Sequence, residues 1–297
     1  MGLVKLASTM IAIAAGAAMA QVPSARITGR IVDSTGAVMP KTSVTMTSLD
    51  TNARQDAASN ETGDFTIPLL QPGRYKVEAR AAGFHTYQHP ELTLAVDQTM
   101  RLDITLELGS TAESVTVTDT PPAINTENGT RGQTITAAEI NEMPLDSRNF
   151  ADLALLTGGV IPRGDGGDGS YAVNGGRADN TGFVLDGMNN TQRRNTGAVI
   201  NPPLEGVQEF KMIVSGFSAE YGRYAGGVLT AVTKSGSNRF RGSVYEFLRN
   251  DALDATGYFD VNKSKLRRNQ FGASASGPVR LPKLYNGRDR TFFWPSV

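Results

Sequence analysis

The chain has 297 residues, 29 basic and 29 acidic side chains, and no cysteine. Balanced charge gives no electrostatic case for nucleic acid, and the lack of cysteine excludes disulfides, thiolate nucleophiles and thiolate metal sites. The length suits about two domains at ~100–150 residues each, and 32 glycines with frequent Ser and Thr lean toward strands and turns.

Residues 1–20 read as an export signal. Lys5 supplies the positive end, Leu6 to Ala18 is an apolar run, and Ala18-Met19-Ala20 is a small-x-small cleavage site, so the exported chain begins at Gln21. The run is shorter than the ~20 apolar residues of a spanning helix. No later segment is apolar enough to cross a bilayer as a helix, which leaves membrane insertion to β-strands.

Residues 25–108 show short alternating runs at close spacing, the pattern of a β-sandwich. Leu102, Ile104, Leu106 and Leu108 fall on one face, with Arg101, Asp103, Thr105 and Glu107 on the other. Further runs hold Ile27 and Ile31, Val44 and Met46, Phe65 and Ile67, Tyr75 and Val77, and Leu92, Leu94 and Val96. Turn chemistry separates them at Asp33-Ser34-Thr35-Gly36, Asn60 to Asp64, Gln71-Pro72-Gly73 and Ala82-Gly83. The series Val32-Asp33, Gly36 to Pro40, Val44-Thr45, Thr62 to Phe65, Leu70 to Val77 and Gly83-Phe84 resembles the carboxypeptidase regulatory-like family. That resemblance implies a transthyretin-like accessory sandwich without peptidase chemistry, and carbohydrate binding only by fold analogy. His85 and His89, the two histidines, with Glu91 could be drawn as a zinc site. Spacing of four shares a face only on a helix, however, and Gly83 and Pro90 bracket the pair in what reads as an exposed turn, so no metal or cofactor is expected.

Residues 109–122 form a linker of Gly, Ser and Pro around the β-branched peptide Glu113, Ser114, Val115, Thr116, Val117 and Thr118. The flanks keep this extended peptide out of both neighbouring domains, free to add to a sheet edge of a partner. It looks like a TonB box, which implies a TonB-type energy-coupling protein in the periplasm as partner.

Residues 123–235 read as a compact α+β domain. Thr136-Ala137-Ala138-Glu139 is a capping box opening a helix that ends at Pro144. A second helix, capped by Asp146 or Ser147, buries Phe150, Leu153 and Leu156 and stops at Gly158-Gly159. Strands follow at Tyr171 to Val173, Phe183 to Leu185, Phe210 to Val214 and Val228 to Val232. Phrases in order resemble the plug of TonB-dependent receptors, in particular the Oar-like subgroup: Met143-Pro144-Leu145 with Arg148-Asn149-Phe150, then Asn174-Gly175-Gly176-Arg177, Leu185-Asp186-Gly187, Val207 to Lys211, and Glu220-Tyr221-Gly222 onward. Arg177 and Asp186 either pair or are solvated turn charges; both readings stay open. The resemblance implies ligand-facing loops at Asp165 to Asp168 and at Arg193-Arg194, the first of which reads as a flexible Gly/Asp loop ahead of a calcium turn. No nucleotide loop or catalytic set has supporting context, so the chain is not read as an enzyme.

Residues 236–297 begin a barrel. Phe240 to Arg249 has the length of a membrane strand with Tyr245 and Phe247 to one side; Phe271, Ala273 and Ala275 alternate with polar partners; and a third strand, Arg290 to Trp294, follows an Asn286-Gly287 turn. The fold expected is mainly β: a sandwich, an α+β plug and the first strands of an incomplete transmembrane barrel, since closure needs ~8 strands. The chain is thus read as the N-terminal portion, truncated or fragmentary, of an outer-membrane receptor for a bulky ligand, gated by its plug and meeting lipid through the completed barrel. The competing class is a soluble periplasmic ligand- or carbohydrate-binding module of sandwich plus plug.

Overall fold

The computed structural model describes residues 25–109, 114–117, 129–143, 145, 148–163, 170–192, 197–256, 263 and 265–295. The export signal expected at 1–20 lies outside them.

The first unit is built from β1 (Ala25–Asp33), β2 (Ser43–Ser48), β3 (Arg54–Ala58), β4 (Asp64–Leu70), β5 (Gly73–Arg80), β6 (Thr86–Leu94), β7 (Thr99–Arg101) and β8 (Ile104–Leu106). A further short strand, β9 (Ser114–Thr116), comes from the linker. One sheet runs β4-β1-β7, with β8 also pairing β1; the other runs β3-β2-β5-β6-β9. Alternation decides the core: Ile27, Ile31, Val44, Met46, Phe65, Ile67, Tyr75, Val77, Leu92, Leu94, Ile104 and Leu106 are all buried between the sheets. Leu108 departs from the expected row and is exposed, because the strand ends at Leu106 and only an isolated bridge to Phe84 follows.

The histidine segment corrects the sequence reading. His89 is buried inside β6 rather than held in an exposed turn. Tyr75 pairs Leu92 while Val77 pairs His89, so one residue of β5 faces Pro90 and Glu91 together. This bulge gives Pro90, which has no N–H, a place in the strand without breaking the ladder on either side.

The central unit contains β10 (Arg131–Thr136), α1 (Ala137–Glu142), a 3-10 helix (Phe150–Leu156), β11 (Val160–Pro162), β12 (Tyr171–Val173), β13 (Thr181–Leu185), β14 (Met188–Asn189), β15 (Val207–Ser215) and β16 (Gly227–Thr233). Its main sheet is β10-β15-β16-β13-β14, with β13 and β16 parallel and β15 antiparallel to both β10 and β16. The capping box at Thr136 forms: its N–H donates to Glu139 Oε2 at 2.8 Å, which with the Thr136 hydroxyl holds that carboxyl below the usual carboxylate range. The second helix differs from the expected one. It is 3-10, and its N-cap is Asn149, whose Oδ1 accepts from the Ala151 N–H at 3.0 Å. Phe150, Ala151, Leu153 and Ala154 are buried, whereas Leu156 is exposed, since the chain leaves the helix at Thr157. Asp146 and Ser147 lie outside the described residues.

The C-terminal part is a long antiparallel hairpin of β17 (Arg241–Asn250) and β18 (Arg267–Pro278), followed by β19 (Arg280–Leu281), β20 (Tyr285–Asn286) and β21 (Phe292–Phe293). The expected third strand shrinks to the two residues of β21, which return to pair with Gly277 and Pro278. Asn286 ends β20, whose own turn lies at residues 282–284 with Lys283 at a φ of 63°; a second turn at 288–290, closed on the Gly287 carbonyl and the Asn286 side chain, leads into β21.

Candidate coupling peptide and the central unit

The linker peptide does not hang free. Ser114, Val115 and Thr116 pair in parallel with Thr86, Tyr87 and Gln88, and the Val117 N–H donates to the Gln88 carbonyl at 2.9 Å. β9 is thereby absorbed as the edge strand of the sandwich, contrary to the expectation that Gly, Ser and Pro keep it out of both neighbours. The physical reason is that β5 pairs one side of β6 and leaves the other for an added strand, and a β-branched peptide tethered to the same sandwich, with Ser114 following Leu94 by 20 residues, is at high local concentration beside it. Glu113 and Thr118 of the same peptide are outside the described residues.

Of the phrases quoted from the central sequence, Val207 to Lys211 lies in β15, whereas those at Asn174, Asp186 and Glu220 are turns. Asn174 and Gly175 both have positive φ, 51° and 76°, and the Gly176 N–H closes the turn on the Val173 carbonyl. Asn174 also donates from Nδ2 to the Val214 carbonyl at 3.0 Å, tying this turn to β15. Asp186 and Gly187 repeat the pattern at 48° and 77° between β13 and β14, where only a turn with two positive φ angles fits a two-residue hairpin. The Asp186 carboxylate accepts from the Thr233 N–H and hydroxyl, both at 2.8 Å, at the end of β16. Arg177 is exposed at the start of a 3-10 turn, and among the described residues no ion pair joins it to Asp186. Leu185 is buried in the main core.

Glu220 and Tyr221 belong to a 3-10 turn (Ala219–Tyr221) closed by Gly222, with Ser218 as its cap. Tyr221 packs against the cluster of Val184, Ile213 and Val228, and burial pushes its hydroxyl up to about 12. The same turn delivers Tyr224, whose ring lies against Gly182 and whose hydroxyl reaches Thr191 Oγ1 at 3.0 Å and Asn189 Oδ1 at 3.1 Å. Tyr224 falls within the phrase that starts at Glu220, whereas Asn190 was missed by sequence reasoning. Asn190 is buried and grips Ile200 twice, accepting from its N–H and donating to its carbonyl at 2.8 Å each. Those two side chains fix the base of the loop that carries Arg193 and Arg194. The two arginines, and Asp165 and Asp168 of the other loop, lie outside the described residues.

Charged side chains join the central unit to both of its neighbours. On the sandwich side, Glu209 Oε2 accepts from the Val96 N–H at 2.8 Å, while Lys211 Nζ donates to the carbonyls of Val96 and Asp97 at 3.2 and 2.9 Å. Burial pushes the Glu209 carboxyl up to about 7, the Val96 N–H and Lys211 opposing that rise only in part. On the hairpin side, Arg148, at a φ of 53°, pairs with Glu205 and sits over Phe247, its guanidinium carbon 3.6 Å from the ring centroid, with the Tyr245 ring at 5.6 Å. The opposite face of the hairpin carries Val244, Leu248 and Phe271, which are 87%, 64% and 77% exposed.

Comparison with known proteins follows the same division of the chain. Residues 26–107 match the family described as carboxypeptidase regulatory-like domain, and residues 232–297 match the family described as outer membrane beta barrel domain. The TonB-dependent transporter Oar of Myxococcus xanthus is 29% identical over 304 residues, covering 94% of this chain and 28% of that relative. The chain thus spans less than a third of the relative's length. Among solved structures, the siderophore receptor PirA from Acinetobacter baumannii matches 50% of this chain and 22% of its own at 22% identity and a TM-score of 0.39. A dioxygenase domain from Streptomyces sp. SirexAA-E matches 31% of this chain and 84% of its own at 12% identity and a TM-score of 0.26. Both likenesses are too distant to carry a ligand or a reaction across.

Proposed function

We propose, for a chain that belongs with the TonB-dependent outer-membrane transporters, that residues 123–235 act as the plug of a β-barrel whose first strands are β17 and β18. In this reading the sandwich is a periplasmic accessory domain reached after cleavage of the export signal, and Glu113 to Thr118 is the peptide grasped by a TonB-type energy-coupling protein.

The observation that carries the reading is the two-sidedness of the hairpin. Val244, Leu248, Phe271 and Ala273 share one face with Glu246 and Asn269 through the register Val244 to Ala273, Glu246 to Phe271 and Leu248 to Asn269, and all six side chains are exposed among the described residues. The other face holds Tyr245, Phe247, Gln270 and Ser274, and Arg148 of the central unit sits on it. A largely apolar outer face, with polar and aromatic side chains inside against a packed domain, is the arrangement expected of a plugged membrane barrel. No helix among the described residues is long and apolar enough to cross a membrane, and this says nothing about strands. Homology to a transporter supports passage of a bulky ligand, of unidentified chemistry, rather than catalysis.

The test is binding of the purified periplasmic domain of a TonB-type coupling protein to the exported chain by calorimetry, wild type against Val117→Pro. Binding that is present in wild type and lost in the variant supports the coupling peptide, because proline removes the N–H a strand partner needs. Equal binding by both shows that the partner does not take the Val117 N–H and refutes strand addition along the edge of the peptide that carries it.

A further inference from the structure

The coupling peptide has a second occupant for its backbone inside its own chain. β9 lies parallel to β6 over Ser114 to Thr116, and the next N–H, that of Val117, is donated to Gln88. Val115 and Val117, the two apolar side chains of the described peptide, are both half-buried, and Val117 packs against the sandwich core. Ser114 and Thr116 are exposed. A partner that adds a strand and reads the valines therefore meets a peptide whose valines are already covered.

Resting on the coupling-peptide reading above, we infer that the Thr86–Gln88 edge of β6 is an intramolecular berth for that peptide, so that the sandwich and the coupling protein exclude one another. Three paired residues make a short ladder, and short isolated pairings are marginal in water. The peptide is thus held loosely enough to exchange, and the accessory domain sets how much of it is open at any moment. Apparent affinity for the coupling protein falls in proportion to the open fraction, so a peptide open ~10% of the time binds ~10-fold more weakly than a free one.

The chain has no cysteine, which makes the Gln88→Cys/Thr116→Cys double variant a clean lock. Those residues are register partners, and neighbouring strands ~4.8 Å apart fall within the ~4.4–6.8 Å between Cα atoms that a disulfide spans. The exported chain carrying both substitutions is titrated with the periplasmic domain of the coupling protein, once reduced and once oxidised, and a synthetic peptide of residues 113–119 is titrated alongside. Ready disulfide formation, with the oxidised chain binding at least ~10-fold more weakly than the reduced chain, is the result expected. Equal affinity in the two redox states, while the synthetic peptide binds, overturns the berth and leaves the coupling peptide standing: the partner then uses the outer edge of β9. Failure of the disulfide to form overturns it too. A synthetic peptide that does not bind removes the coupling-peptide reading, and the proposal with it.

Discussion

Asp186 stands at a φ of 48° with both carboxylate oxygens committed to Thr233. The left-handed conformation costs an ordinary L-residue ~1–2 kcal/mol, and the backbone and hydroxyl donors of Thr233 offset that only while the side chain can accept. Asp186→Ala keeps the strain and removes the acceptor, so the unfolding free energy of the central unit should fall by about 2–3 kcal/mol, hydrogen bonds to charged groups being worth ~1.5–3 kcal/mol. Asp186→Asn keeps one acceptor and a residue tolerant of positive φ, and should lose less than half as much; urea midpoints of the two variants decide. Gly29 gives the complementary case of a residue fixed by what approaches it. A Cβ there would run into the Leu102 carbonyl, where β7 gives way to β8 along β1. Gly29→Ala should therefore cost ~1–3 kcal/mol through backbone displacement, as overpacking does, and an unchanged thermal midpoint would show that Leu102 moves aside freely. Of these two roles, the Asp-Gly turn was legible in sequence because two-residue hairpins demand positive φ. The partner Thr233, 47 positions away, and the crowding at Gly29 were not, because both depend on which strands become neighbours.

At the scale of elements, alternation carried most of the sandwich into view, since a strand with one buried face writes its period into the chain. It failed where burial is two-sided or pairing is irregular. In β15, Val207 and Glu209 to Ile213 are all buried. Phe210 and Met212 enter the main core while Glu209 and Lys211 are covered by the sandwich loop at Val96 and Asp97. Charged residues in such a strand look like a solvated face until a second domain is known to sit there. The bulge at Pro90 and the docking of β9 escaped for the same reason: an edge is a property of the sheet and cannot be read in the strand that joins it. Phe210 tests how far the central sheet organises its unit. Its side chain is fully buried between Ile135 on β10 and Ala231 on β16, its register partners. Phe210→Ala should cost ~3–5 kcal/mol, and near-UV circular dichroism should show loss of packing in the central unit with the sandwich signal retained. Simultaneous collapse of both units would mean that the β15 contacts to Val96 and Asp97 make them one cooperative body.

For the whole molecule, the joint between sandwich and central unit contains a buried carboxyl whose titration can be followed. Glu209 is 7% exposed, accepts from the Val96 N–H, and lies beside Lys211, which in turn faces Asp97. Burial raises the Glu209 carboxyl from 4.5 to about 7 and moves Asp97 upward as well. A folded carboxyl that holds its proton more tightly than the unfolded one favours folding below its unfolded value. That contribution is then lost as pH rises from about 4.5 through about 7, beyond which it is flat. Wild type should therefore lose stability relative to Glu209→Gln across that window. The two should be nearly equal at the acidic end, where the neutral acid resembles the amide, and the variant should be the more stable at about pH 8. Thermal midpoints of both proteins through the window measure this directly. Exchange of the Val96 amide localises it, since that N–H is the one Glu209 accepts. Parallel curves for the two proteins would mean that Glu209 ionises in the folded chain as it does in the unfolded one, and that Lys211 rather than burial governs the joint. If the curves diverge as argued, neutral pH holds the sandwich against the central unit less firmly than mild acid does, and the element bearing the β6 edge is the one freed to move.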